Sequence, residues 1–217
     1  MSYEYLLVPV LDEQGRVEAV AGTARDITER KANEERVRRS ANYDSLTGLP
    51  NLSLFRDRLD HEIKHALRTG LPLALLFIDL DGFKAVNDEL GHAAGDELLR
   101  QAAHRINGCV RDTDTVARIG GDEFTVILTD VTREAHIDVI ARELLDALGA
   151  PFPLGPQNAT ISASIGISLS PQDSIVPDML VRNADLAMYV AMYVAKHAGR
   201  NAYRYFTVQM HPASPTP

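Results

Sequence analysis

Leu73-Ala-Leu-Leu-Phe-Ile-Asp-Leu-Asp-Gly-Phe-Lys84 is a near-continuous apolar run that ends in two carboxylates and a glycine. Leu73 to Leu80 reads as a strand buried on both faces. Such a strand rarely delivers Asp79 at its end, with Asp81 just beyond, unless something pairs the charge. Further along, Arg118-Ile-Gly-Gly-Asp-Glu-Phe124 sets two glycines between two more strands, Thr115 to Ile119 and Glu123 to Leu128. The glycines permit a tight hairpin with positive φ, and Asp122 and Glu123 follow at once. Carboxylates of a hairpin can project towards the next strand, where Asp79 is expected. Three acids converging there would hold two divalent ions, which activate an attacking hydroxyl and stabilise the leaving oxygen of a phosphoryl transfer. The plainer alternatives are turn chemistry at Asp81-Gly82 and solvated acids on a surface hairpin.

The surrounding pattern sets the fold class. Leu52 to Arg68 reads as an amphipathic helix, with Leu54, Phe55, Leu59, Ile63 and Leu67 near one face. Helices are also expected over Gly95 to Ile106, over residues 133–149, and over Val176 to Ala198. Thr160 to Leu169 alternates as a strand, and Tyr203 to Phe206 is a last short one. Helices mixed with mostly antiparallel strands make an α+β fold with helices flanking a central sheet. It is similar to a ferredoxin-like or polymerase-palm core of the nucleotide cyclase type.

Ahead of this region lie two predicted strands, residues 3–10 and Val17 to Ala24, joined by a turn over Asp12 to Gly15. They are too short for a domain and read as the last hairpin of one. The run GTARDITERKANEE that follows resembles the C-terminal end of a PAS sensor domain. Asp26 is a candidate N-cap with Glu29 three residues on, and a charged helix extends to about Ala41. Ile27, Val37 and Ala41 are its sparse apolar positions. It reads as a solvated connector or as a signalling coiled coil with a weak seam. The expected organisation is therefore a sensor remnant over residues 1–27, a helical linker over 28–43, a main domain over 44–207 and a disordered tail over 208–217.

The 217 residues carry a net charge of −8 with a pI near 5.3. Nucleic-acid binders draw affinity from a basic face, so bulk DNA or RNA binding is not expected, whereas one nucleotide held with a metal is. A single cysteine, Cys109, permits no intrachain disulfide and fits a reducing cytoplasm. No apolar run approaches the ~20 residues of a membrane span. No GxxxxGK[ST] loop is present, so a P-loop GTPase is not expected.

Taken together, DSLTGLPN (44–51), DLDGFK (79–84), NDELGHAAGD (87–96), IGGDEF (119–124) and AKHAGRN (195–201) resemble the GGDEF family of diguanylate cyclases over about Asp44 to Phe206. The resemblance implies condensation of two GTP molecules into cyclic di-GMP with release of two pyrophosphates, on two Mg²⁺ (or Mn²⁺) ions per site. It places Asp79, the Leu80 carbonyl, Asp122 and Glu123 at the metals, with Asp122 or Glu123 assisting deprotonation of the 3′-hydroxyl. Asn87 and Asp96 match the guanine-reading positions, which suits an amide and a carboxylate facing the guanine edge. His92 matches a substrate-side position, or is simply a helix-end histidine. Lys84 would stabilise charge on the transferring phosphate, and Lys196 and Arg200 would hold the outer phosphates from one helical face. Arg111 and Asp114 match the register of the RxxD site where product binds and inhibits. Each site would hold one GTP, so the implied partner is a second copy in a homodimer.

Two departures stand out. AMYV is repeated at 187–190 and 191–194, where the family has it once. Four extra helical residues advance the end by ~6 Å and rotate it by about 40°, which threatens Lys196 and Arg200 while nearly keeping the buried face. Leu52 stands where the family often has arginine, which would remove an ion-pair partner for Asp44. The alternative function is a weak or inactive domain that binds GTP or cyclic di-GMP. That reading suits a longer protein, because Tyr205-Phe-Thr-Val-Gln-Met210 resembles the link into an EAL phosphodiesterase domain.

Overall fold

A computed structural model of the protein describes residues 1–195 and 201–210. The chain divides into two compact units, Met1–Ala41 and Asn42–Pro217.

The first unit is an antiparallel hairpin of β1 (Tyr3–Leu11) and β2 (Val17–Asp26), followed by helix α1 (Thr28–Asn42). The turn is held as its residues predict. Asp12 accepts the N–H groups of Gln14 and Arg16, both at 2.9 Å, and Gly15 adopts φ 78°. Asp26 accepts the Thr28 N–H at 2.8 Å at the start of α1. Tyr5 and Leu7 are exposed on one face of β1, and Leu6 and Val8 on the other.

The second unit contains α2 (Leu52–Thr69), β3 (Leu73–Asp81), α3 (Phe83–Leu90), α4 (His92–Gly108), β4 (Thr115–Gly120) and β5 (Glu123–Leu128). There follow α5 (Glu134–Gly149), a small hairpin of β6 (Phe152–Leu154) and β7 (Gln157–Ala159), β8 (Ser162–Ser170), α6 (Pro177–Ala195) and β9 (Ala202–Tyr205). The central sheet has the order β4-β5-β3-β8-β9, antiparallel except for the β8/β9 pair.

Side chains of β3 alternate between two apolar cores, as a strand's period of two requires. Ala74, Leu76, Ile78 and Leu80 pack with α4 and α5, whereas Leu73, Leu75 and Phe77 pack with α2 and α6. Asp79 continues the second series and so faces the α2/α6 side. Helix α2 is started by Asn51, whose Oδ1 accepts the Ser53 and Leu54 N–H groups, and stopped by Gly70 at φ 75°. Its buried face is Phe55, Leu59, Ile63 and Ala66, and Leu67, expected on that face, is exposed. At this helix's pitch, position 66 lies three residues after 63 and closes the stripe that 67 was assigned to.

Other expectations are corrected here. Helix α3 and the β6–β7 hairpin were not foreseen, and α4 begins at His92 rather than Gly95. Helix α3 has only eight residues with a single buried apolar side chain, Val86, so its periodicity is too brief to read. Helix α6 is continuous to Ala195. The repeat keeps its face, because Ala187, Met188 and Ala191 are buried while Tyr189 and Tyr193 are exposed and stacked, with centroids 6.4 Å apart. No helix among the described residues is long and apolar enough to cross a membrane.

Candidate active site

Strand β3 brings Asp79 directly opposite Glu123 of β5 and Ser164 of β8. Partners across an antiparallel pair share a face, so Asp79 and Glu123 stand together at one end of the sheet. Asp122 precedes β5 in the hairpin, where its carbonyl accepts the Leu80 N–H at 3.3 Å. The hairpin turns at Gly121, at φ 52°. A register shift between Arg118 and Gly120 lets the loop leave the ladder.

Burial, followed by the charges of Asp122, Asp81, Glu123 and Asp185, pushes the Asp79 carboxyl up to about 7. Burial, Asp185 and Asp122 raise Glu123, and burial raises Asp185. Asp185, on α6, escaped the sequence reading. It lies far along the chain in a helix whose charge reads as solvated, and only packing of α6 against the sheet gives it these neighbours.

Asp81, expected just beyond the strand, belongs to it. It is the last residue of β3 and is buried, accepting the Ser162 hydroxyl at 3.0 Å and the Ser164 hydroxyl at 3.1 Å. Its charge is answered by protein donors, whereas Asp79, Asp122, Glu123 and Asp185 have no such set among the described residues.

The three sequence-predicted acids do not form a ready cage. Among the described residues, no group of three or more histidine, cysteine, aspartate or glutamate side chains is drawn together tightly enough to hold a metal ion. The donor chemistry nevertheless fits magnesium. Hard oxygens with raised proton affinity want a cation, and this ion is characteristically bound by one or two carboxylates plus substrate phosphates rather than by an all-protein cage.

Helix α3 starts immediately after Asp81. Its cap is Gly82 at φ 88°, with no side-chain hydrogen bond to the helix start. Lys84 lies exposed in the first turn. Gly91, at φ 84°, alone separates α3 from α4, and the sharp reversal packs the two helices together. Asn87 of α3 then lies against Gly95 of α4. A Cβ built at Gly95 would stand 2.0 Å from Asn87 Oδ1. That oxygen is buried and has no hydrogen-bond partner among the described residues. Asp96 follows Gly95 and is exposed, as is His92 at the start of α4. Lys196 and Arg200 lie outside the described residues.

Leu52 offers Asp44 no ion pair, but Asp44 is not left alone. Asp44 is paired with Arg118, whose Nη1 donates to both carboxylate oxygens at 3.0 and 3.1 Å. The same guanidinium donates to the Gly121 carbonyl from Nε at 3.0 Å and Nη2 at 2.8 Å. Thus the entry turn and the hairpin that carries Asp122 share one side chain.

Arg111 and Asp114 sit before β4, at its opposite end from the hairpin. The strand between them and the hairpin, Thr115–Gly120, is itself roughly 17 Å long. Asp114 Oδ2 accepts the Arg111 N–H and Oδ1 accepts the Thr129 N–H, both at 3.1 Å. The Arg111 guanidinium is exposed and lies 3.0 Å from His136 Nε2.

Comparison with known proteins gives the family and the fold. The family model described as "Diguanylate cyclase, GGDEF domain" matches residues 41–202. The chain is 44% identical over 206 residues to a bifunctional diguanylate cyclase/cyclic di-GMP phosphodiesterase, MucR of Pseudomonas aeruginosa, covering 95% of this chain and 29% of that protein. It is 40% identical over 186 residues to the cyclic di-GMP phosphodiesterase PdeR of Escherichia coli, covering 86% and 27%. The chain therefore spans less than a third of the length of these two relatives. Among solved structures, the isolated GGDEF domain of TpbB (YfiN) from Pseudomonas aeruginosa superposes with a TM-score of 0.72 at 41% identity, covering 77% of this chain and 96% of that one.

Proposed function

The chain belongs to the GGDEF family of diguanylate cyclase domains, and from that premise we propose that it condenses two GTP molecules into cyclic di-GMP. The observation that carries this reading is the set of mutually repelling carboxylates around Asp79, whose proton affinity is raised to about 7. Such a cluster calls for a divalent cation and phosphate oxygens to complete it. Asp79, Asp122 and the Leu80 carbonyl would hold Mg²⁺ or Mn²⁺, with Glu123 close by for a second ion. When bound, the metals lower the pKa of the attacking hydroxyl and offset charge on the leaving oxygen.

The residues have separable tasks. The 3′-oxygen of one GTP bonds to the α-phosphorus of the other, the bond to the β-phosphate oxygen breaks, and pyrophosphate leaves. Asp122 or Glu123 takes the hydroxyl proton, and burial with the charges of Asp185 and Asp122 raises the proton affinity of Glu123. Lys84 and the start of α3 favour negative charge on the transferring phosphate. Asn87 and Asp96 read guanine, an amide and a carboxylate suited to its edge, and His92 lies on the substrate side. Lys196 and Arg200 complete the triphosphate site. Forming both phosphodiester bonds takes two sites face to face, so the working unit is a homodimer. Product held at Arg111 and Asp114 inhibits from a distance, with arginine suited to forking onto phosphate or a guanine edge.

The apolar side chains on both faces of the β1–β2 hairpin support its reading as part of a larger PAS sheet, with α1 as the linker. The likeness to MucR and PdeR supports a second reading, in which the domain binds GTP or cyclic di-GMP as a regulator beside an EAL phosphodiesterase in a cytoplasmic protein. Incubation with GTP and Mg²⁺, with products resolved by chromatography, separates the two. Cyclic di-GMP made by the parent and lost in Asp122→Ala establishes the cyclase. GTP binding without product in a folded dimer moves the assignment to the regulator.

A further inference from the structure

The regular pairing of β3 with β5 stops at Asp79, opposite Glu123. Its pairing with β8 runs two residues further, to Leu80 opposite Ala163 and Asp81 opposite Ser162. The end of β3 is therefore registered mainly from the β8 side, before Gly82 turns the chain into α3 at φ 88°. The buried Asp81 carboxylate adds to that registration. Among the described residues its hydrogen-bond donors are two hydroxyls of β8. Ser162 reaches Oδ2 at 3.0 Å, and the fully buried Ser164 reaches both oxygens at 3.1 Å. Ser164 stands directly opposite Asp79, yet a hydroxyl has a single proton to donate, and this one is directed to Asp81. Asp79 and Asp81 lie on one face of the strand, and β8 answers only the second.

We infer that Ser164, with Ser162, is a positioning residue for the cation site: by binding the Asp81 carboxylate it fixes the end of β3, so that Asp79 and the Leu80 carbonyl are presented together. This rests on the reading of Asp79 and Leu80 as cation ligands. Leu80 gives its N–H to the Asp122 carbonyl at 3.3 Å. The N–H and C=O of a strand residue point to the same side, so the Leu80 carbonyl also faces the hairpin, while the next side chain is tied to β8. Without the Ser164 hydroxyl, Asp81 is a buried charge short of a donor. The chain end must then shift to find another, and it carries Leu80 and Asp79 with it.

The experiment is a double-mutant cycle on the full chain with Ser164→Ala, Asp81→Asn and the pair, beside Asp79→Ala. Mn²⁺ binding is followed by loss of the free-ion electron paramagnetic resonance signal, and Tm is measured without metal. Ser164→Ala is expected to weaken Mn²⁺ binding about tenfold, the usual cost of losing a group that orients a metal ligand. With Asp81→Asn already in place, the same change should matter by less than about twofold, because no buried charge then needs the hydroxyl. A lower Tm with unchanged Mn²⁺ affinity would make Ser164 a structural residue only and overturn the inference. Equal weakening in both backgrounds overturns it too, since the serine then does not act through Asp81. If Ser164→Ala does not fold, the cycle is read in the same way on Ser162→Ala, which removes the other hydroxyl on that carboxylate. A parent that binds no Mn²⁺, or an Asp79→Ala variant that binds it as the parent does, overturns the cation reading and this inference with it. Loss of binding in Asp79→Ala beside an unaffected Ser164→Ala overturns the positioning role alone.

Discussion

Arg118 joins two places that the sequence presents separately. Its guanidinium spans Asp44 in the entry turn and the Gly121 carbonyl beside Asp122. Burial alone would raise the Asp44 carboxyl, but hydrogen bonds from the Thr47 hydroxyl and N–H, with Arg118, outweigh it and hold the group below its ordinary 3.8. The folded state therefore favours the ionised form. Its stabilisation is fully present above the unfolded value and is lost as pH falls through the folded one. Asp44→Asn should cost roughly 1–2 kcal/mol near pH 6. Urea unfolding of parent and variant should show that gap narrowing progressively as pH drops below 3.8, and a gap that does not narrow at all in acid would refute the electrostatic account. At this scale the motifs made Asp79 and Glu123 legible as neighbours, which the register of β3 and β5 sets opposite one another, because each lies in a short stretch local to a strand or a hairpin. Asp185, the Asp44–Arg118 pair and the Asn87–Gly95 contact were not legible, because each depends on which elements touch.

Helix α6 depends on one glycine of the sheet. A Cβ at Gly166 of β8 would stand 1.9 Å from the Ala184 carbonyl oxygen and 2.2 Å from the Met188 nitrogen. Both are backbone atoms, so no rotamer change relieves the clash. Gly166→Ala should destabilise the fold by at least about 3 kcal/mol, read as a lower denaturation midpoint. A shift under 0.5 kcal/mol would mean that α6 does not rest on the sheet this closely. The tandem AMYV repeat shows why the helix tolerates four extra residues. Four residues make slightly more than one turn, so alanines 187 and 191 both meet the core and tyrosines 189 and 193 both face out. Long elements were legible for the same reason, since several turns or alternations average out local noise. The short α3 and the β6–β7 hairpin were not, because three to eight residues carry too few repeats of either period.

Across the whole molecule, residues 42–217 contain both apolar cores and every candidate site residue, whereas residues 1–41 form a separate unit. The fragment 42–217 is therefore expected to fold cooperatively by itself. If two copies must face each other, its specific activity should rise with protein concentration, and restoring residues 1–41 should shift that curve. Activity per molecule that is constant over a hundredfold dilution would argue against an obligate dimer. The sequence by itself determined the α+β class, the buried strand that carries Asp79, the Gly-Gly hairpin and the family, because hydrophobic period and turn chemistry act over a few neighbouring residues. Only the tertiary structure decided that Asp81 is satisfied by serines while Asp79 is not, that α6 adds Asp185 to the acids, and that Asn87 lies against Gly95. Charge repulsion and steric exclusion act through space, between residues that the chain brings together only when the sheet and its two helical layers have closed.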